Sequence, residues 1–261
     1  MPTPSPQNDD DTGENHQPTL RKNTAQPAEQ TLKQYSLMGV GDRMRSMGSC
    51  NLALLDGLEL CGKWDMPVPE PCDVVPDDLI GFNYALTRSA NGLVDAGVHF
   101  FLEDYQFERV WREPERYGRM LTPFRCTLTP DFSLYRDMPL IQQSYNVYRS
   151  RLLGAYWQRH GISVIPTLQW STSESYAFAF DGLPAHSVVA VSTLGAFADR
   201  TASLLWRQGM REALERLGPS LVLLYGRPMP GFDWRDTPLI RYDNHVTERM
   251  KTWEAEARRA A

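Results

Sequence analysis

The chain has no excess of positive charge. Its 27 lysines and arginines stand against 32 acids, a formal net charge of −5 over 261 residues. Holding duplex DNA by its phosphates needs a broad basic face, so that mode is disfavoured and only a local basic patch stays open. No apolar run approaches the roughly 18 residues of a transmembrane helix. The N-terminus lacks the charged-then-apolar order of a secretory signal. The expected setting is therefore the cytoplasm, with no membrane partner. Cysteine is scarce: Cys50, Cys61 and Cys72 are evenly spaced and Cys126 sits in an apolar run. No pair forms C-x-x-C, so zinc spacing is poor. Reduced, unligated thiols are expected, with three cysteines converging on a metal as the alternative. Catalytic signatures are missing too. There is no G-x-x-x-x-G-K-[ST], no H-E-x-x-H, no G-x-S-x-G and no H-x-E with C-x-x-C. These absences leave the cofactor unknown.

What is present is an ordinary globular composition, 42% hydrophobic and 23% charged, arranged in three stretches. Residues 1–30 carry Pro2, Pro4, Pro6, Asp9, Asp10, Asp11, Pro18 and Pro27 among polar residues. They hold too little apolar surface to offset ordering entropy and are expected to be a disordered tail. Residues 31–76 read as an N-terminal extension and connector. Within them Gly39-Val-Gly41 lacks the third glycine of a dinucleotide loop, because position 44 is Met. Leu52, Leu54, Leu55, Leu58 and Leu60 form a short apolar segment expected to pack on the main body. Pro67, Pro69, Pro71 and Pro76 mark an extended, polyproline-like run.

Residues 77–261 read as an α/β domain. Short apolar runs at Leu79–Tyr84, Gly97–Leu102, Cys126–Thr129, Ile162–Leu168, Ser187–Val191, Leu221–Tyr225 and Leu239–Asp243 alternate with helical stretches. Helices are expected at 107–121 with a break at Pro114, from Asp137 to Gly161, near 174–180, at 197–217 and from about Thr247. Ile141, Tyr145, Tyr148, Leu152 and Tyr156 follow the helical period and mark the expected apolar face of the longest helix. Unbroken apolar strands separated by helices predict a mostly parallel sheet buried on both faces. Repetition of the βα unit without a reversal of strand order points to a TIM-barrel-like form or an incomplete barrel.

Several short motifs occur in order: His99-Phe-Phe-Leu-Glu-Asp-Tyr105, Phe107-Glu108, Pro114-Glu115-x-Tyr117, Thr129-Pro-Asp-Phe-Ser-Leu-Tyr135 with Asp137-Met-Pro139, Ile165-Pro166 with Trp170, and Phe180-Asp-Gly182. Together they resemble an uncharacterised domain-of-unknown-function family of bacteria, phages and mobile elements. The resemblance spans roughly residues 79–226. It implies a mobile-element setting and supplies no reaction. The family favours Asp-Asp before the tyrosine where this chain has Glu103-Asp104.

Parallel α/β folds bind ligands at the carboxyl ends of their strands. Those ends carry Asn83; Glu103, Asp104 and Tyr105; Asp131; Gln169 and Trp170; Ser192 and Thr193; Tyr225; and Asp243, Asn244 and His245. Asp131 with Glu103 or Asp104 is the candidate catalytic pair, since two nearby carboxylates can cleave a glycosidic bond. In that scheme Asp131 is nucleophile or base and Glu103 or Asp104 the acid. Asn83, Tyr105, Gln169, Trp170, Ser192 and Tyr225 are candidate substrate-binding residues, with Trp170 and Tyr105 able to stack on a sugar or base. The carboxylates could also hold a divalent metal with His245. Structural alternatives stand beside each: Asp131 capping a backbone amide, Asp104 paired with Arg136, Trp170 plugging the core, His99 a core histidine. Arg136, Arg149, Arg151 and Arg159 form either a solvated helix face or a phosphate-binding one. The reaction class is thus a carboxylate-dependent hydrolase or glycosyl-transfer enzyme acting on a nucleotide, nucleic-acid or glycan ligand. The alternative is a non-catalytic accessory protein that binds nucleic acid or a host protein.

Overall fold

The computed structural model describes residues 32–34, 48–88 and 93–244. Gly39-Val-Gly41, His245 and the helix expected from Thr247 lie outside them. The described chain begins with a small antiparallel sheet of β1 (Leu32–Gln34), β2 (Glu59–Cys61) and β3 (Met66–Pro67). Leu55, Leu58 and Leu60 from this segment are buried in the same cluster as the helices that follow.

Seven parallel strands come next: β4 (Asp78–Gly81), β5 (Val94–His99), β6 (Phe124–Leu128), β7 (Val164–Ile165), β8 (Val188–Ser192), β9 (Leu221–Tyr225) and β10 (Leu239–Tyr242). They form a four-stranded and a three-stranded sheet, each in sequential order. A parallel bridge between Thr167 and Ala190 links the two. Leu168 N donates to Ala190 O, and Ala190 N donates to Pro166 O. Helices fill the connections: α1 (Phe82–Ala85), α2 (Arg109–Arg112), α3 (Pro114–Leu121), α4 (Leu140–Arg159), α5 (Tyr176–Ala179) and α6 (Arg200–Leu217). The fold is therefore mixed α/β built on parallel sheets.

The period of two sorts the strand residues onto two faces. Val189, Val191, Val222 and Leu224 pack on one side with α6 residues Trp206, Met210 and Leu214. Val188, Ala190, Leu223 and Tyr225 pack on the other with Leu79, Phe101, Cys126, Leu128, Ile165 and Tyr242. Both faces are apolar, which is why the strands read as continuous apolar runs. The second face draws on all seven strands or the residues just beyond them. The Tyr242 hydroxyl also donates to Pro76 O at 2.6 Å, from β10 to the segment just before β4. Among the described residues no ladder joins β10 to β4, so no closed barrel is present there.

Several boundaries differ from the expectation. The first strand stops at Gly81, and 82–85 is helical, so Asn83 lies on α1. The strand expected over 162–168 keeps only two ladder residues and the Thr167 bridge. The long helix starts at Leu140 with Pro139 at its cap, and no side chain caps it. Its face is the larger correction. Leu152 is buried, and Tyr148 and Tyr156 pack half-buried on the core as expected, but Ile141 is 71% exposed and Tyr145 41%, and Gln143, Asn146, Arg149 and Arg151 are buried as well. The four arginines form neither a solvated stripe nor a phosphate face. Arg149 and Arg151 are interior, Arg136 pairs with Asp199 at 2.9 Å, and Arg159 donates to Asp56 O. The residues of α4 most deeply packed are those that meet the loop before it and the strands beneath it. Gly154, for example, sits where a Cβ would lie 2.5 Å from Thr129 Cγ2.

Candidate functional site

The loop after β6, Thr129 to Pro139, is held by side chains from two directions. Asp104, in the turn after β5, accepts from Ser133 N at 3.2 Å and from Ser133 Oγ at 2.8 Å. From α4, Asn146 Nδ2 donates to Ser133 O at 2.7 Å. Gln143 Nε2 donates to Met138 O at 2.7 Å and to Tyr135 O at 3.1 Å. Arg149 donates to Asn146 Oδ1 and to Glu108, and its guanidinium lies 3.8 Å from the centre of the Phe132 ring. A buried loop backbone needs such partners, since an unpaired polar group out of water costs about 1–3 kcal/mol. That requirement is the physical reason α4 buries amides and a guanidinium.

Asp131 sits inside this frame, partly buried. One carboxylate oxygen accepts from Gln169 Nε2 at 3.0 Å, and the same nitrogen donates to Phe132 O. Gln169 Oε1 is buried without a hydrogen-bond partner. Burial pushes the Asp131 carboxyl up to about 7. The Gln169 hydrogen bond opposes that rise, and the charge of Asp104 adds to it. Asp131 and Asp104 thus lie close enough to interact. The backbone amide of this loop is capped by Asp104, and Arg136 is engaged with Asp199 instead.

The other rim residues have varied surroundings. Glu103 is exposed, and Tyr105 is 77% exposed. Trp170 donates to Leu205 O at 3.1 Å and packs against Gly209 of α6, with Phe180 and Trp206 beside its ring. Asn83 Oδ1 accepts from Tyr84 N. Ser192 Oγ accepts from Leu194 N. Tyr225 is buried, stacked near His99 at 4.2 Å and Phe101 at 5.3 Å, and burial pushes its hydroxyl up to about 12. His99 Nδ1 accepts from Phe101 N, which places the ring in the core as a hydrogen-bonded histidine. The Phe180-Asp-Gly182 motif is structural in its contacts: Arg151 donates to the Ala179 and Asp181 carbonyls, and Gly182 (φ +70°) rests on Cys61.

A cleft of about 420 Å³ lies at the ends of β8, β9 and β10, and Asp131 is not among the residues that line it. Thr193, Phe197, Arg227, Arg241, Asp243 and Asn244 line it. Sequence reasoning named Thr193, Asp243 and Asn244 and passed over Phe197, Arg227 and Arg241. The position of Arg227, two residues past the end of β9, was the available signal. Among the described residues, no group of three or more His, Cys, Asp or Glu side chains is arranged to hold a metal ion. Among them, too, no helix is long and apolar enough to cross a membrane.

A family model described as "Domain of unknown function (DUF4417)" matches residues 58–243. The chain is 40% identical to the Gene 1 protein of Mycobacterium phage L5 over 195 residues, covering 75% of this chain and 85% of that one. It is 43% identical to the Gene 1 protein of Mycobacterium phage D29 over 164 residues, covering 63% of this chain and 61% of that one. No solved structure matches the chain. The family match reaches further at both ends than the motifs at 79–226, taking in the segment from residue 58 that packs into the core.

Proposed function

The chain belongs to the DUF4417 domain-of-unknown-function family, and from that premise we propose a carboxylate-dependent hydrolase or glycosyl-transfer enzyme with Asp131 as its proton donor. The observation that carries the reading is the Asp131 carboxyl, pushed up to about 7 at a strand end and steadied by Gln169. A carboxyl in that range still holds its proton in much of the population at neutral pH, so it can protonate a leaving oxygen. This reverses the roles assigned from sequence, in which Asp131 was nucleophile or base. The exposed Glu103 is then the partner that accepts a proton from water, and Asp104 positions the loop through Ser133. The seven strands are read as an incomplete barrel whose carboxyl rim faces substrate, in the cytoplasm of the infected cell. The supports are the sequential strand order, the shared apolar face and the Tyr242–Pro76 hydrogen bond.

The test is a panel of glycoside, nucleotide and nucleic-acid substrates assayed with wild type, Asp131→Asn and Glu103→Gln. A positioned general acid contributes about 10²–10⁴ in rate. Asp131→Asn should therefore lose at least about 100-fold with its circular dichroism unchanged, and wild-type turnover should fall as pH rises past about 7. An Asp131→Asn enzyme as active as wild type would refute the assignment. A second reading, an accessory protein binding nucleic acid or a host protein, draws on the exposed Tyr105, Tyr135 and Ile141 of the same rim. It predicts capture of such a partner that is lost in Tyr105→Ala and kept in Asp131→Asn.

A further inference from the structure

We infer that the cleft at the ends of β8, β9 and β10 binds a nucleoside monophosphate. The site is separate from Asp131, and the inference stands without the acid chemistry proposed there. Its floor is preformed, as ligand sites usually are. Thr193 N donates to Tyr225 O, Gly226 N donates to Tyr242 O, and Thr193 Oγ1 donates to Arg227 O at 2.9 Å. These bonds tie the three strand ends together and fix the backbone of Arg227. Gly226 has φ +105°, and a Cβ there would lie 2.7 Å from Thr193 Oγ1. The close approach of the two loops therefore needs glycine on conformational and steric grounds.

The lining chooses the ligand. Arg227 is exposed, and among the described residues no carboxylate pairs with it. Its guanidinium lies 3.7 Å from the centre of the Phe197 ring. A guanidinium supported on an aromatic ring is a platform on which a base stacks, and its donors suit a phosphate. Arg241 pairs with Asp243. Among the described residues, two cations and one carboxylate give the cleft lining a formal charge of +1, which suits one phosphate group better than three. Asp243, which keeps one oxygen on Arg241, supplies an acceptor for a sugar hydroxyl or an exocyclic amine. A volume of about 420 Å³ falls at the small end of ligand pockets. Leu194, 48% exposed, completes an apolar wall for the base.

The experiment is titration calorimetry of the full chain with the four common ribonucleoside monophosphates, adenosine and inorganic phosphate. At least one monophosphate should bind ten-fold or more tightly than both adenosine and phosphate. Arg227→Ala and Leu194→Asp, both exposed and so compatible with folding, should each weaken it at least ten-fold with thermal unfolding unchanged. Asp131→Asn should leave the affinity within two-fold. The inference is overturned if no monophosphate binds, if phosphate alone binds as well, or if Arg227→Ala changes affinity less than two-fold. It is equally overturned if Asp131→Asn abolishes binding while Arg227→Ala does not. Turnover that depends on Asp131 in a protein that binds no nucleotide would sink this inference alone.

Discussion

At the ends of β5, β6 and β7, polar side chains are turned inward onto the protein. Asp104 holds Ser133, Asn146 and Gln143 hold the loop carbonyls, and Arg149 joins Glu108 to Asn146 over Phe132. At the ends of β8, β9 and β10 the backbone is tied just as firmly, yet Arg227 and Asp243 face an open cleft. One end uses its polar groups to fix a loop that carries a single perturbed carboxyl. The other fixes its loops with backbone bonds and the Thr193 hydroxyl, and leaves Arg227 exposed at the cleft. Polar residues at strand ends therefore do not all carry the same meaning. What separates them is which groups satisfy the connection behind the strand: side chains of Asp104, Asn146 and Gln143 after β6, and backbone groups with the Thr193 hydroxyl after β8 and β9.

The comparison breaks most sharply at Arg149. Arg149→Ala removes a guanidinium whose side chain is 10% exposed and leaves Glu108 and Asn146 without it. Urea unfolding should show a loss of about 3 kcal/mol. A loss under about 1 kcal/mol would mean that the network does not hold this end.

Asp131→Asn acts in the opposite direction. A carboxyl whose native pKa is raised to about 7 takes up a proton on folding between its unfolded value, about 4, and about 7. Its ionisation penalty is absent below about pH 4, grows through that window and is full above it. Asp131→Asn should therefore be more stable than wild type by roughly 2 kcal/mol at pH 8, allowing for partial exposure, and equal to it near pH 4. A gain of the same size at both pH values would show that ionisation is not the cause.

Gly209→Ala tests the inward packing of Trp170. The added Cβ would lie 2.1 Å from the indole nitrogen. Alanine favours a helix by about 1 kcal/mol, while overpacking a rigid ring costs about 1–3 kcal/mol. The clash should win by about 1 kcal/mol, with a shift in tryptophan fluorescence as the Leu205 hydrogen bond breaks. A stabilised variant would show that Trp170 is free to move aside.

The smallest effect belongs to the open end. Arg227→Ala should change stability by less than about 0.5 kcal/mol in urea unfolding, because an exposed cation over one ring contributes little to folding. A larger loss would make Arg227 part of the frame and erase the contrast with Arg149.

The strand at 221–225 and the stop at Gly218 (φ +50°) were legible residue for residue, because an unbroken apolar run and a glycine after a helix are local signals. The break at Pro114 was legible for the same reason: α2 ends at Arg112 and α3 begins at the proline. Asp131 was legible as a strand-end carboxylate, and its setting was not. Gln169 and Asp104 reach it from positions 38 and 27 residues away along the chain. The buried face of α4 misled most. Its helical stripe holds at Tyr148, Leu152 and Tyr156, which pack on the core, and fails at Ile141 and Tyr145, where the loop before the helix needs hydrogen bonds that come from Gln143 and Asn146, with Arg149 holding Asn146.

Alone, the sequence determined the alternation of strands and helices, the parallel class and the positions of the strand ends, since periodicity and apolar continuity are carried by neighbouring residues. Only the tertiary structure decided which of those ends is filled and which is open. That choice depends on side chains from distant elements competing to satisfy the same buried backbone, and on the room left at β8–β10, where backbone bonds with the Thr193 hydroxyl and the Trp206 indole tie the strand ends.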